Sequence, residues 1–280
     1  MVVERNKKMK KILFACAIAA VGALNAEICV KSGESIAFMG DSITQGGNRP
    51  AGYVNLVMKG LEICGVNAKK IPAGISGDRS VQMHARLQRS VLDKKPQWMT
   101  FSCGVNDVWH GKNGVPLEKY KILVGEIFDK CAAAGVNVIV LTPTMISENP
   151  EAEKNKLLSS YCEWLRAEAK KRNLRLADLN ALMHETLAEI KKTDKSPGLK
   201  LTADGVHMAF PGDCMMAWGV LKAMGVEESK KDELFAAFRK VVGGKHLSVP
   251  LSVDQNDILI KKAKESGLST EDYVIKMLGL

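Results

Sequence analysis

The chain has 280 residues, 46% of them apolar, 25% charged and 5% aromatic, with a formal charge of +9. That apolar share suits a packed globular protein and excludes a disordered one. No apolar run reaches about 18 residues, which excludes a polytopic membrane protein, and seven cysteines without CxxC pairs exclude a small disulfide scaffold or zinc ribbon.

Arg5, Lys7, Lys8, Lys10 and Lys11 precede an apolar stretch, ILFACAIAAVGAL, at 12–24, and small residues follow it. A basic head, a short apolar middle and a small-residue exit predict a signal peptide over 1–26, hence a secreted or periplasmic protein with no stable membrane insertion after cleavage. Residues 1–26 carry five Lys/Arg and one Glu, so the mature chain holds 35 basic and 30 acidic residues, a charge near +5. These charges are dispersed and form no basic stripe, so no nucleic-acid partner is expected. Cys29, Cys64, Cys103, Cys131, Cys162 and Cys214 remain, an even number in an oxidising compartment. Cys103 and Cys131 lie in apolar segments where cysteine behaves as a small hydrophobe, and mostly free thiols are expected.

Apolar runs predict buried strands at 35–39 (SIAFM), 98–103 (WMTFSC) and 136–141 (VNVIVL), with shorter ones near 68–71 and 174–176. Between them, apolar residues recur at helical spacing over 53–64, 81–90, 117–134, 152–172 and 179–191. Strands alternating with helices of that length make βαβ units and a parallel sheet covered on both faces. Right-handed crossovers put every strand C-terminus on one edge, where ligands bind.

The unusual residues follow the strands. Gly40-Asp41-Ser42-Ile43-Thr44 comes after the first, Gly74-Ile75-Ser76-Gly77-Asp78-Arg79 after the second, and Gly104-Val105-Asn106-Asp107-Val108-Trp109-His110 after the third. Asp204-Gly205-Val206-His207 lies in a late loop. A serine hydroxyl needs a base to become a nucleophile, and imidazole titrates in the useful range. Ser42 is the candidate nucleophile and His207 the base. Asp204, three residues before it, can accept the Nδ1 proton and fix the tautomer. The substrate oxyanion then needs donors, and the Ser42 N–H, the Gly77 N–H and the Asn106 amide come from three loops of one edge.

GDSIT, AGISGDRS, CGVNDVWHG and DGVH, in that order, resemble the four sequence blocks of the SGNH (GDSL) hydrolase family. The resemblance implies a flavodoxin-like three-layer α/β/α sandwich with a central parallel sheet, the hydrolase domain spanning 27–225. It implies ester hydrolysis through an acyl-enzyme, no cofactor and no metal. Ser42, Asp204 and His207 match the family's triad, and Gly77 and Asn106 its oxyanion-hole positions. The first block reads GDSIT rather than GDSL, a variation common in carbohydrate-acting relatives, so a small ester or acetylated carbohydrate is the expected substrate. A lipase-type acyl hydrolase and a non-catalytic carbohydrate-binding protein are the competing readings. Asp41, Trp109 and His110 are candidates for the substrate wall, Asp41 also for bonding its own loop amides, and Asp107 for the latter alone. Ser76 does not complete G-x-S-x-G and reads as a turn residue.

Residues 226–280 read as a helical extension. A charged amphipathic helix is expected over 227–242, and helix starts of the capping-box type stand at Ser252 and Ser269. The last stretch resembles a ribbon–helix–helix module, with a plain helical hairpin the competing reading. Nothing in the sequence fixes an oligomeric state.

Overall fold

The strand at Ser35–Gly40 (β1) is buried at every position after the first, as a strand covered on both faces must be. A computed structural model describes residues 27–241 and 251–278. The signal peptide expected at 1–26 lies outside the described residues. β2 (Lys69–Gly74), β3 (Trp98–Ser102), β4 (Asn137–Leu141) and β5 (Arg175–Ala177) complete one sheet in the order β2-β1-β3-β4-β5, every pair parallel. β3 and β4, in the middle, are as apolar and as buried as β1. β2 occupies an edge, where Pro72 is tolerated because its missing N–H costs no ladder bond on the open side.

The helices cover the sheet in two sets. α2 (Tyr53–Ile63), α7 (Leu179–Thr193), α8 (Phe210–Ala223) and α9 (Lys231–Phe238) pack among themselves. α3 (Ser80–Ser90) packs against α5 (Leu117–Ala133), and α5 against α6 (Glu153–Lys171). Two helical layers on one parallel sheet make the three-layer sandwich expected. Two short helices, α1 (Ser42–Gly46) and α4 (Val105–Trp109), sit directly after β1 and β3. The strand order reverses between β1 and β3, and such a switch point opens a crevice at the strand C-termini.

α8 is absent from the periodicity reading, and its composition explains why. FPGDCMMAWGVLKA is buried on nearly every side, so it has no polar face to set a period. Trp218 on α8, Tyr53 on α2 and Phe238 on α9 are among the largest fully buried side chains. Leu234 and Phe238 bury α9 against α2 and α8. The helix expected over 227–242 is a 3₁₀ turn at Glu228–Lys230 followed by α9, and residue 242 lies outside the described residues. Cys103, Cys131, Cys162 and Cys214 are buried thiols, and burial pushes Cys131 up to about 12.

The second unit, Gly244–Leu280, contains α10 (Val253–Glu265) and α11 (Thr270–Met277). Ser252 and Gln255 form a reciprocal capping box, and the Ser269 hydroxyl accepts the Asp272 N–H. The residues at 247–250 that a ribbon would need lie outside the described residues. Among the described residues no helix is long and apolar enough to cross a membrane.

Candidate active site

Asp41 starts the site. Its carboxylate caps α1 by accepting the Ile43 N–H at 2.9 Å, so the chain turns sharply out of β1. That bond satisfies Ile43 and leaves the Ser42 N–H, one of the orphan donors of a helix start, for another acceptor. Ser42 Oγ lies 2.8 Å from His207 Nε2, and His207 Nδ1 lies 2.7 Å from Asp204 Oδ2. The Asp204 Oδ1 atom accepts the Val206 and His207 backbone N–H groups at 2.9 and 2.8 Å. Burial pushes the Asp204 carboxyl up, but the imidazole and these two donors outweigh it and hold it down to about 2. Asp204 is therefore a carboxylate throughout neutral and mildly acidic pH. The pair is open to solvent, with side-chain exposures of 49% for His207 and 56% for Asp204.

The other two loops are tied to the first. Gln45 Oε1 accepts the Ser76 N–H at 2.7 Å, and the Gly40 carbonyl accepts the Ile75 N–H at 3.0 Å. Asn106 Nδ2 donates to the Asp78 carbonyl at 3.0 Å, which orients the amide and leaves its second hydrogen free of that contact. Gly77 has φ +81° and nothing within 4 Å of an added Cβ. The left-handed backbone, rather than crowding, is what asks for glycine there. Ser42, Asp204 and His207 thus meet directly, while Asn106 is tied to Asp78, the residue after Gly77.

Arg86, invisible in the sequence reading, underpins this junction. It is 3% exposed, its Nε pairs with the Asp78 carboxylate, and its Nη2 donates to the Gly40 carbonyl at 3.0 Å. Met83 and Leu87 bury the same face of α3. A charged residue inside such a stripe must be paired, and that was the available signal.

Of the three substrate-wall candidates, Asp41 turns inward. It is 2% exposed and engaged with Ile43, so it presents no surface to a ligand. Asp107 is likewise buried, accepting the Ser80 N–H at 3.0 Å and the Ser80 hydroxyl at 2.5 Å. Trp109 is 44% exposed at the end of α4, with the Lys154 ammonium 4.0 Å from its ring centre. His110 is exposed beside it. Among the described residues no three His, Cys, Asp or Glu side chains gather to hold a metal ion.

The Asp41 carboxyl makes a pH prediction. Burial, reinforced by the neighbouring Asp107 carboxylate, pushes it up to about 6 against the pull of the Ile43 N–H. A carboxyl that binds its proton more tightly when folded stabilises the fold below its ordinary value of 3.8, and this stability is lost as pH rises towards 6. Asp41→Asn keeps an acceptor for Ile43 and does not titrate. Its unfolding free energy relative to wild type is expected to climb between pH 4 and 7 and then level, by at most about 3 kcal/mol. Chemical denaturation of both proteins across that range checks it, and a pH-independent difference contradicts it.

The sequence model of the GDSL-like lipase/acylhydrolase family matches residues 38–208, an interval holding Ser42, Gly77, Asn106, Asp204 and His207. The chain belongs to that family. An acetylxylan esterase of Geobacillus stearothermophilus is 26% identical over 218 residues, covering 71% of this chain and 97% of that protein. The crystal structure of that organism's acetylxylan esterase Axe2 superposes with a TM-score of 0.63 at 26% identity, covering 71% and 97% of the two chains. The acetyl xylan esterase AlAXEase gives 0.63 at 29% identity over 68% of this chain and 98% of its own. Three catalytic mutants of Axe2 have been crystallised, with a serine, an aspartate and a histidine changed to alanine, the last two lying three positions apart. This GDSL-family chain is thus a carboxylic ester hydrolase by family, with a flavodoxin-like strand order behind its site.

Proposed function

We propose that this protein is an exported acetyl esterase that removes acetyl groups from a polysaccharide or oligosaccharide through an acyl-enzyme on Ser42. The contact that carries the reading is the unbroken chain Ser42 Oγ, His207 Nε2, His207 Nδ1, Asp204 Oδ2 at 2.8 and 2.7 Å. His207 takes the Ser42 proton as Oγ attacks the acetyl carbonyl, and Asp204 holds the imidazolium that forms. The Ser42 N–H, the Gly77 N–H and the Asn106 amide stabilise the tetrahedral oxyanion. His207 then gives its proton to the departing sugar hydroxyl. A water, deprotonated by the same imidazole, releases acetate and restores Ser42.

Likeness to two acetylxylan esterases supports the substrate class. The openness of His207 and Asp204 suits an acetyl group presented on a bulky sugar chain. Trp109, 44% exposed with the Lys154 ammonium over its ring, is the aromatic surface against which a sugar ring would pack. The basic and apolar pattern of residues 1–26 supports export.

Kinetics on 4-nitrophenyl esters test the acyl preference. The kcat/KM for the acetyl ester is expected to exceed that for the octanoyl ester by at least about tenfold, as a site selective for a small acyl group would give. Acetate release from acetylated xylan should accompany it. A flat or rising dependence on chain length would favour the lipase reading.

A further inference from the structure

His207 and Asp204 ride on a narrow loop on which they and Ala203 are exposed, while Gly205, Val206 and Met208 are buried. Thr202 pairs with Met208 in an isolated antiparallel bridge, the Ala203 N–H donates to the His207 carbonyl at 2.8 Å, and the Ala209 N–H to the Leu201 carbonyl at 2.9 Å. These bonds close the loop on itself without fixing where it stands relative to Ser42. At the far end of the loop Arg49 Nη2 donates to the Met208 carbonyl at 2.9 Å, and the turn after β4 grips the rest.

Glu148, 9% exposed, lies in this turn. Its Oε1 accepts the Leu201 N–H, the Thr202 N–H and the Thr202 hydroxyl, each at 2.7 Å, and its Oε2 accepts the Lys200 N–H at 2.7 Å. One carboxylate thus gathers four donors from the base of the loop. One residue earlier, the Ser147 N–H donates to the Gly205 carbonyl at 2.6 Å, gripping the same loop at its tip. Ser147 holds φ +63° and Gly205 φ +94°, and a Cβ on Gly205 would stand 3.4 Å from Ser147 Cα. That is ordinary contact, so the left-handed backbone, rather than crowding, is what asks for glycine at 205.

The turn itself is templated by Asn155 on α6. Its Oδ1 accepts the Ile146 N–H at 2.7 Å, and its Nδ2 donates to the Ser147 and Asn149 carbonyls at 3.3 and 2.7 Å. Burial pushes the Glu148 carboxyl up, yet the donors from Lys200, Thr202 and Leu201 outweigh it and hold it below the usual range. The Glu148 side chain is thus a carboxylate at neutral pH.

We propose that Glu148 is a positioning residue for the ester hydrolysis, setting the distance between His207 Nε2 and Ser42 Oγ by anchoring residues 200–202. The inference rests on the reading of His207 as the base for Ser42. Glu148 touches no substrate in this scheme. It acts through the loop backbone, and a shift of the imidazole by an ångström or so would be costly to proton transfer while leaving the ester-binding surface in place.

The test is steady-state hydrolysis of 4-nitrophenyl acetate by the full chain and by E148Q, E148D, T202V and S42A. In E148Q the amide turns an N–H against a backbone N–H of the loop. Its kcat is expected to fall about ten- to a hundredfold with KM within threefold, and E148D, keeping the charge, should recover part of it. A folded E148Q, by circular dichroism, with kcat within threefold of wild type would overturn the proposal while S42A remains inactive. Should E148Q not fold, T202V decides. It removes one donor and keeps the side-chain shape, so a drop in kcat of about threefold or more at unchanged KM supports the anchor, and wild-type kcat overturns it. Full activity in S42A would instead remove the serine reading, and the role of Glu148 with it.

Discussion

Ser42→Ala is expected to lower kcat on 4-nitrophenyl acetate on the order of 10⁴–10⁶-fold, and His207→Ala by a comparable factor. The reason is geometric. The hydroxyl and the imidazole touch at 2.8 Å, so neither retains its function without the other. Ser42→Ala removes the only atom that can bond to the acyl carbon in this scheme. His207→Ala leaves a hydroxyl with its full proton affinity. Groups that act as a unit are not additive, so the double variant should be no worse than the weaker single variant. Both side chains lie at the surface end of the strands rather than in the core, and His207 is about half exposed, so thermal stability should change little. A single variant within tenfold of wild type, or losses that multiply in the double variant, would contradict the account.

Asn106→Ala should reduce kcat about 10²–10³-fold with little change in KM, because the charge its amide meets exists only in the transition state. The Asp78 carbonyl holds Asn106 Nδ2 at 3.0 Å, so the amide is fixed in place before substrate arrives. That preorganisation is what gives one hydrogen bond such weight in a site. The fold itself loses only one partly buried bond, about 1 kcal/mol. Loss of kcat with an intact melting transition is the expected pattern. A kcat within threefold of wild type would take Asn106 out of the oxyanion site.

The sheet was readable because the central strands of a parallel sheet are apolar on both faces. SIAFM, WMTFS and NVIVL stand out from any neighbour in the chain. The edge strand KKIPAG, half exposed and carrying Pro72, was correspondingly blurred, and its boundaries differ most. α8 was hidden for the opposite reason, since a helix buried all round has no period to detect. At the site, the polar residues after β1, β2 and β3 could be gathered on one edge from topology alone, because crossover handedness leaves them nowhere else to go. Asp41 was harder. Its position beside Ser42 is equally compatible with facing a ligand and facing the chain, and only burial decides that it caps α1. Arg86 and Glu148 left almost no trace. Each looks like an ordinary polar residue of a helix or loop, and its partners at Gly40 and at 200–202 lie 46 and more than 50 positions away. Supports of this kind are made by long-range backbone contacts, which no local pattern encodes.

Ester hydrolysis by this protein, in the mechanism proposed, requires Ser42 to be an activated nucleophile. Treatment with diethyl 4-nitrophenyl phosphate, followed by peptide mass analysis, measures this directly. One diethylphosphoryl group per chain is expected on the peptide containing Ser42, formed in step with the loss of esterase activity and absent from Ser42→Ala. Label on another residue in a fully inactivated protein, or equal labelling of Ser42→Ala, would contradict that mechanism.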